Sequence, residues 1–69
     1  MSRLFRATGY NEFADAQCKQ DVILGKEYPV LHDYQSDKDF FVDEAGDKNY
    51  GCNDENDTVY VFDIIEVEQ

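Results

Sequence analysis

Apolar and aromatic residues reach this chain in short runs, and each run is closed by a cluster of Gly, Asn or Asp. That punctuation leaves little room for a long helix, because a surface helix repeats its apolar face over three or more turns. It suits short strands instead, which need only a few alternating residues between turns. Five such runs stand out: residues 3–8 (RLFRAT), 26–33 (KEYPVLHD), 39–43 (DFFVD), 48–53 (KNYGCN) and 58–67 (TVYVFDIIEV). Residues 10–24 read as a loop with a short helical piece, since Phe13, Ala14 and Cys18 have helical spacing, and the DVILGK that follows reads as a strand or extended entry. A further helical turn is expected near Phe62 and Asp63, splitting the last run.

In the second run Tyr28, Val30 and His32 share one face and Glu27, Pro29 and Leu31 the other. Pro29 has no amide to donate, so it belongs at a sheet edge or a bulge. The EAGDK stretch after the third run is a hairpin loop, with Gly46 at the position that needs positive φ. Short strands at this spacing indicate a sandwich or small barrel. In 69 residues a single domain is expected, and a five-stranded barrel with SH3-like proportions removes most exposed edges. The fold class is therefore all-β, or mainly β with a short helical turn. The expected core is Leu4, Phe5, Ala7, Val22, Leu24, Tyr28, Val30, Phe41, Tyr50, Val61, Phe62, Ile64 and Val67. Which of Phe40 and Phe41 points inward is a one-residue register question left open by the pattern.

Sixteen acids against six bases give a formal charge of -10. A surplus of this size disfavours nucleic acid and anionic membrane surfaces, both of which attract Lys and Arg. The bland consequence is solubility, and the sharper one is a partner with a basic surface. No run is long and apolar enough for a membrane span, and the start MSRLFRATGY lacks the apolar segment of a leader. A cytoplasmic setting with Cys18 and Cys52 reduced is expected; a disulfide between them is the alternative.

From Asp33 to Asp57 the chain carries nine acids against two bases. If a barrel gathers these turn and strand-end acids on one rim, Asp37, Asp39, Asp43, Glu44, Asp47, Asp54, Glu55 and Asp57 form a docking surface. Asp37 and Asp39, two apart in extended chain, would share a face at roughly 6.6 Å. Tyr34, in the loop beside them, is the expected aromatic anchor, and Tyr10 a second exposed contact. The acids lack the spacing of an EF-hand loop, and Cys18, His32 and Cys52 lack that of a zinc knuckle, so no metal or cofactor is expected. The single histidine has no sequence neighbour that would make a nucleophile, and so short a chain has little volume for a pocket of several hundred Å³; no enzyme is expected.

The order GYNEF, ILGKEYPVL, DFFVDEAGDKNYG and FDIIEVE resembles a group of very small SH3-like barrel proteins encoded by bacteriophages and some bacteria. Their pattern runs Gly-Lys-x-Tyr-x-Val, Asp-x-x-Gly-Asp and Phe-x-x-Val. This chain departs from it at Pro29 and in the long GCNDENDTVY approach to the last strand. The resemblance implies a fold and a phage-like setting, host cytoplasm included, but no substrate. The run Val30-Leu31-His32-Asp33-Tyr34 also echoes the Ala-Leu-Tyr-Asp-Tyr of peptide-binding SH3 domains. Those domains build a proline groove with tryptophan, and this chain has none. The function expected is thus a non-enzymatic acidic binder that docks on a basic host protein, as an inhibitor or nucleic-acid mimic. The alternative is a structural or oligomeric module that pairs through its terminal strands.

Overall fold

Six strands and one short helix make up the computed structural model, which describes residues 2–53 and 59–68. In chain order they are β1 (Ser2–Tyr10), α1 (Ala16–Asp21), β2 (Glu27–Pro29), β3 (Leu31–Asp33), β4 (Lys38–Val42), β5 (Lys48–Asn49) and β6 (Tyr60–Val67). They form two antiparallel three-stranded sheets, ordered β2-β1-β6 and β3-β4-β5. Neither sheet closes on itself. The protein is mainly β, and its Cα radius of gyration of 11.5 Å matches the about 11 Å of a folded chain this long.

The expected second strand is two strands separated by Val30 alone, one in each sheet. Its two faces are as the alternation implies. Tyr28 is buried and Val30 and His32 are half-buried, whereas Glu27, Pro29 and Leu31 are exposed. Pro29 lies on β2, an edge strand, opposite Leu4 of β1, so its missing amide breaks no ladder. The β4–β5 hairpin turns through Gly46 at φ 83°, a left-handed conformation that a side chain disfavours.

At the centre lies an aromatic cluster. Phe5 and Phe41 are fully buried and stacked, with ring centroids 4.1 Å apart. Tyr60 meets Phe5 edge-on, and Phe62 and Tyr28 complete the ring of contacts. Ala7 and Val22 fill the remaining space. The register question resolves without an outward Phe: Phe41 is fully buried and Phe40 nearly so, beside Tyr50 and under the Lys48 ammonium.

Several expectations are corrected. Leu24, Tyr50, Val61 and Ile64, assigned to the core, are exposed, while Tyr60, left out of it, is buried. Leu24 falls in the turn after α1, where the Lys26 amide donates to the Ile23 carbonyl, so DVILGK is not a strand. The fourth strand is only Lys48–Asn49, because Asn49 and Asn53 side chains bond nearby backbone and curl the chain after it. The last strand has no helical break. Tyr60–Val67 is continuous and pairs with β1 along its length, and Thr58, its expected start, lies outside the described residues. What changes near Asp63 is the buried face: Tyr60 and Phe62 point to the aromatic core, whereas Ile65 and Val67 are half-buried on the opposite side. A bulge at Thr8 shifts β1 in the same region, so that inward positions move from Phe5 and Ala7 to Tyr10.

Tyr10 is not the exposed contact expected of it. It packs against the core and its hydroxyl donates to the Val22 carbonyl at 2.7 Å, tying α1 to β1. Asp15 caps α1 by accepting the Cys18 amide at 2.9 Å. Cys18 and Cys52 are free thiols at the margin of the core. No helix among the described residues is long and apolar enough to cross a membrane.

Candidate acidic docking site

The β3–β4 hairpin builds the first part of the site. Asp33 ends β3 and its carboxylate accepts the Gln35 amide at 3.0 Å and the Ser36 amide at 3.4 Å, folding residues 34–37 into a turn. The same carboxylate accepts the Tyr50 hydroxyl at 2.7 Å and lies 3.6 Å from the Lys48 ammonium. The Tyr50 hydrogen bond, then the turn amides, draw Asp33 down to about 2. The same bond to Asp33 pushes Tyr50 up.

His32 sits one residue earlier and on the other face of β3. Its Nδ1 is 2.9 Å from Asp39 and its Nε2 3.1 Å from Asp37. Arg3 from β1 reaches the second oxygen of Asp39 at 2.7 Å. The bond from His32, followed by that from Arg3, holds Asp39 below the usual carboxylate range. His32 is raised in turn, chiefly by Asp39 and against the pull of desolvation. Asp37 has φ 57°, a left-handed conformation tolerated by Asp, and its side chain is 93% exposed. Tyr34 packs edge-on against His32 at 4.7 Å between centroids and is nonetheless 89% exposed.

The second part lies at the far end of β4. Asp43 accepts the Ala45 and Asp47 amides at 3.1 Å each and so shapes the hairpin. Glu44 accepts from Lys26 at 2.7 Å and from the Tyr28 hydroxyl at 2.8 Å. Lys26, then Tyr28, hold Glu44 below its ordinary value. Asp47 is exposed.

Of the expected docking residues, then, Asp37, Asp39 and Tyr34 come together around His32, and Asp43, Glu44 and Asp47 come together in the next hairpin. The described acids thus gather at two neighbouring hairpins, Asp37 and Asp39 at the β3–β4 turn and Asp43, Glu44 and Asp47 at the β4–β5 turn. Asp54, Glu55 and Asp57 lie outside the described residues. Three of the five placed acids, Asp39, Asp43 and Glu44, also hold the fold together, as does Asp33. Sequence reasoning missed Arg3, His32 and Asp33 as parts of this site. A signal existed only for Asp33, whose Asp-x-x-Ser spacing is that of a side chain bonding turn amides.

An open groove of about 620 Å³ runs beside His32, lined by Arg3, Leu4, Pro29, Leu31 and Val67 among others. The chain thus has more concave surface than its length suggested. No group of three or more His, Cys, Asp or Glu among the described residues is placed to hold a metal ion. No protein-family model, curated protein or solved structure matches the chain.

Proposed function

We propose that the protein is a non-enzymatic acidic binder that docks on a basic surface of another protein, with Tyr34 as its aromatic anchor. The observation that carries this reading is Tyr34 itself, 89% exposed on a turn pinned by Asp33 and His32. An aromatic side chain fixed before binding loses little entropy on contact, which is how hot-spot tyrosines gain their weight. Around it the charge favours a cationic partner. Arg3, Arg6, Lys26 and Lys48 are drawn into ion pairs within the chain, so the surplus carboxylates set the outward field. Asp37 and Asp47, with Asp54, Glu55 and Asp57 of the intervening stretch, are the acids assigned to the contact; Asp39, Asp43 and Glu44 support them from within. Arg-rich surfaces suit these carboxylates because guanidinium pairs with them in bidentate fashion.

We propose as well that the two sheets are the halves of a small SH3-like barrel. β2 and β3 behave as one strand bent at Val30 between two sheets, the device by which SH3-like barrels join their halves. A phage-type setting in host cytoplasm, with a role as host inhibitor or nucleic-acid mimic, is supported by the resemblance and the anionic charge.

Affinity capture at low and high salt tests the docking reading. A basic protein retained at low salt, released at high salt and lost with Tyr34→Ala supports it. Retention that ignores both salt and Tyr34 ends it. A second reading, self-assembly through β6, is favoured by one observation: β6 is an edge strand with Val61 and Ile64 exposed. Sedimentation separates the two, since a stable oligomer favours the second.

A further inference from the structure

We infer that His32 is a pH-dependent clasp: as an imidazolium it fastens the Asp37 end of the turn over residues 34–37, and as a neutral ring it leaves that turn to the Asp33 side alone. The argument starts from donors and acceptors. A neutral imidazole carries one N–H and one lone pair, so it can donate from one nitrogen only. His32 has a carboxylate oxygen on each side, Asp39 at 2.9 Å from Nδ1 and Asp37 at 3.1 Å from Nε2. An ionised carboxylate only accepts, so both contacts are hydrogen bonds only when the ring is doubly protonated. On deprotonation one of them becomes lone pair against lone pair.

The two contacts are unequal, and that decides which one yields. Asp39 is three-quarters buried, in the paired strand β4, and is also held by Arg3. Asp37 is 93% exposed, left-handed at φ 57°, and in a turn. The proton therefore stays on Nδ1, which donates it to Asp39, and the Nε2 contact to Asp37 is the one lost. Tyr34 packs on the same ring, a contact that a cationic ring strengthens, so it loosens in the same step.

The other charged groups near the ring do not replace the proton. Arg3 is bound to Asp39 and lies across β1 from Glu66 of β6. Asp33 faces away toward Tyr50 and Lys48, and Lys38 is the strand partner of Asp33. Burial raises the Cys52 thiol, which keeps it neutral near Asp39. The groove residues that precede His32 at the end of β2 and just after it, Pro29 and Val30, carry no charge.

The clasp stands on these contacts alone; its use in docking rests on the reading of Tyr34 as anchor. The test is a pH titration by NMR of the imidazole nitrogens and of the amides of residues 34–37. The expected midpoint for His32 lies above 6.5, with the turn amides titrating at the same pH and exchanging several-fold faster above it. His32→Gln should abolish the shared transition. Should that variant fail to fold, Asp37→Asn serves, because Asn accepts the left-handed backbone and only the charge is lost. It should lower the His32 midpoint and shrink the amide response. A midpoint at or below 6.5, or turn amides that do not follow His32, overturns the clasp. Retention on immobilised poly-lysine gives the separate arm. Amides that follow His32 while Tyr34→Ala leaves retention unchanged support the clasp and sink the docking reading, whereas amides that ignore His32 sink the clasp whatever the retention.

Discussion

Phe5 and Phe41 carry more of this fold than any other pair of side chains. Both are fully buried and stacked at 4.1 Å, one from each sheet. Phe41→Ala removes a whole ring from a core too small to collapse around the gap, at a cost of about 3–5 kcal/mol. A domain of this size holds on the order of 3–10 kcal/mol in total, so the variant should be largely unfolded by circular dichroism at room temperature. Tyr28 and Tyr60 act differently, as rings with a bonded tip. Burial pushes both up to about 12. A phenol whose folded value is raised stabilises the fold below the ordinary 10 and loses that contribution as pH climbs toward 12. Ultraviolet titration should therefore show two phenols that ionise together with alkaline unfolding. Tyr28→Phe deletes the acceptor of the Ile23 amide and a donor to Glu44, and should cost about 1 kcal/mol in urea denaturation.

The β4–β5 hairpin and strand β6 show how differently elements were written in the sequence. The hairpin was legible because its chemistry is local: Asp43 bonds amides two and four residues on, and Gly46 takes φ 83°. A Cβ at Gly46 would meet nothing within 4 Å, so Gly46→Ala isolates the backbone penalty. It should lower stability by about 1 kcal/mol without changing the fold's spectrum. Strand β6 was legible as an apolar run but not in its orientation. Its buried face is set by what it pairs with: Tyr60 and Phe62 lie opposite Tyr10 and Ala7 against the core, whereas Ile65 and Val67 lie opposite Leu4 and Ser2 on the other face. That is why Val61 and Ile64 were assigned inward and Tyr60 was missed. His32 was legible as sharing a strand face with Tyr28 and Val30, but its two carboxylate partners come from the turn and from the strand across the hairpin.

Across the whole molecule the charge of -10 opposes compaction, while the ion pairs at Arg3, Lys26 and Lys48 relieve it only locally. Salt should screen the long-range repulsion more than these short contacts, so the melting temperature is expected to rise with added sodium chloride. Two titrations bound the pH response. His32, raised in the fold, stabilises fully below 6.5 and loses that contribution as pH rises through its folded value. Asp39 and Glu44, depressed in the fold, stabilise above 3.8 and 4.5 respectively and lose that contribution on acidification. Thermal melts across pH should therefore peak between 4.5 and 6.5. By itself the sequence determined that the chain is built of short strands, where its tight turns fall, and that its surface is anionic, because periodicity, turn chemistry and charge act over a few residues. Only tertiary structure decided that the strands make two open sheets, which tyrosines are buried, and that the described acids gather at two hairpins with His32 between Asp37 and Asp39. Those outcomes depend on which strands pair and in what register, and pairing joins residues that the sequence sets far apart.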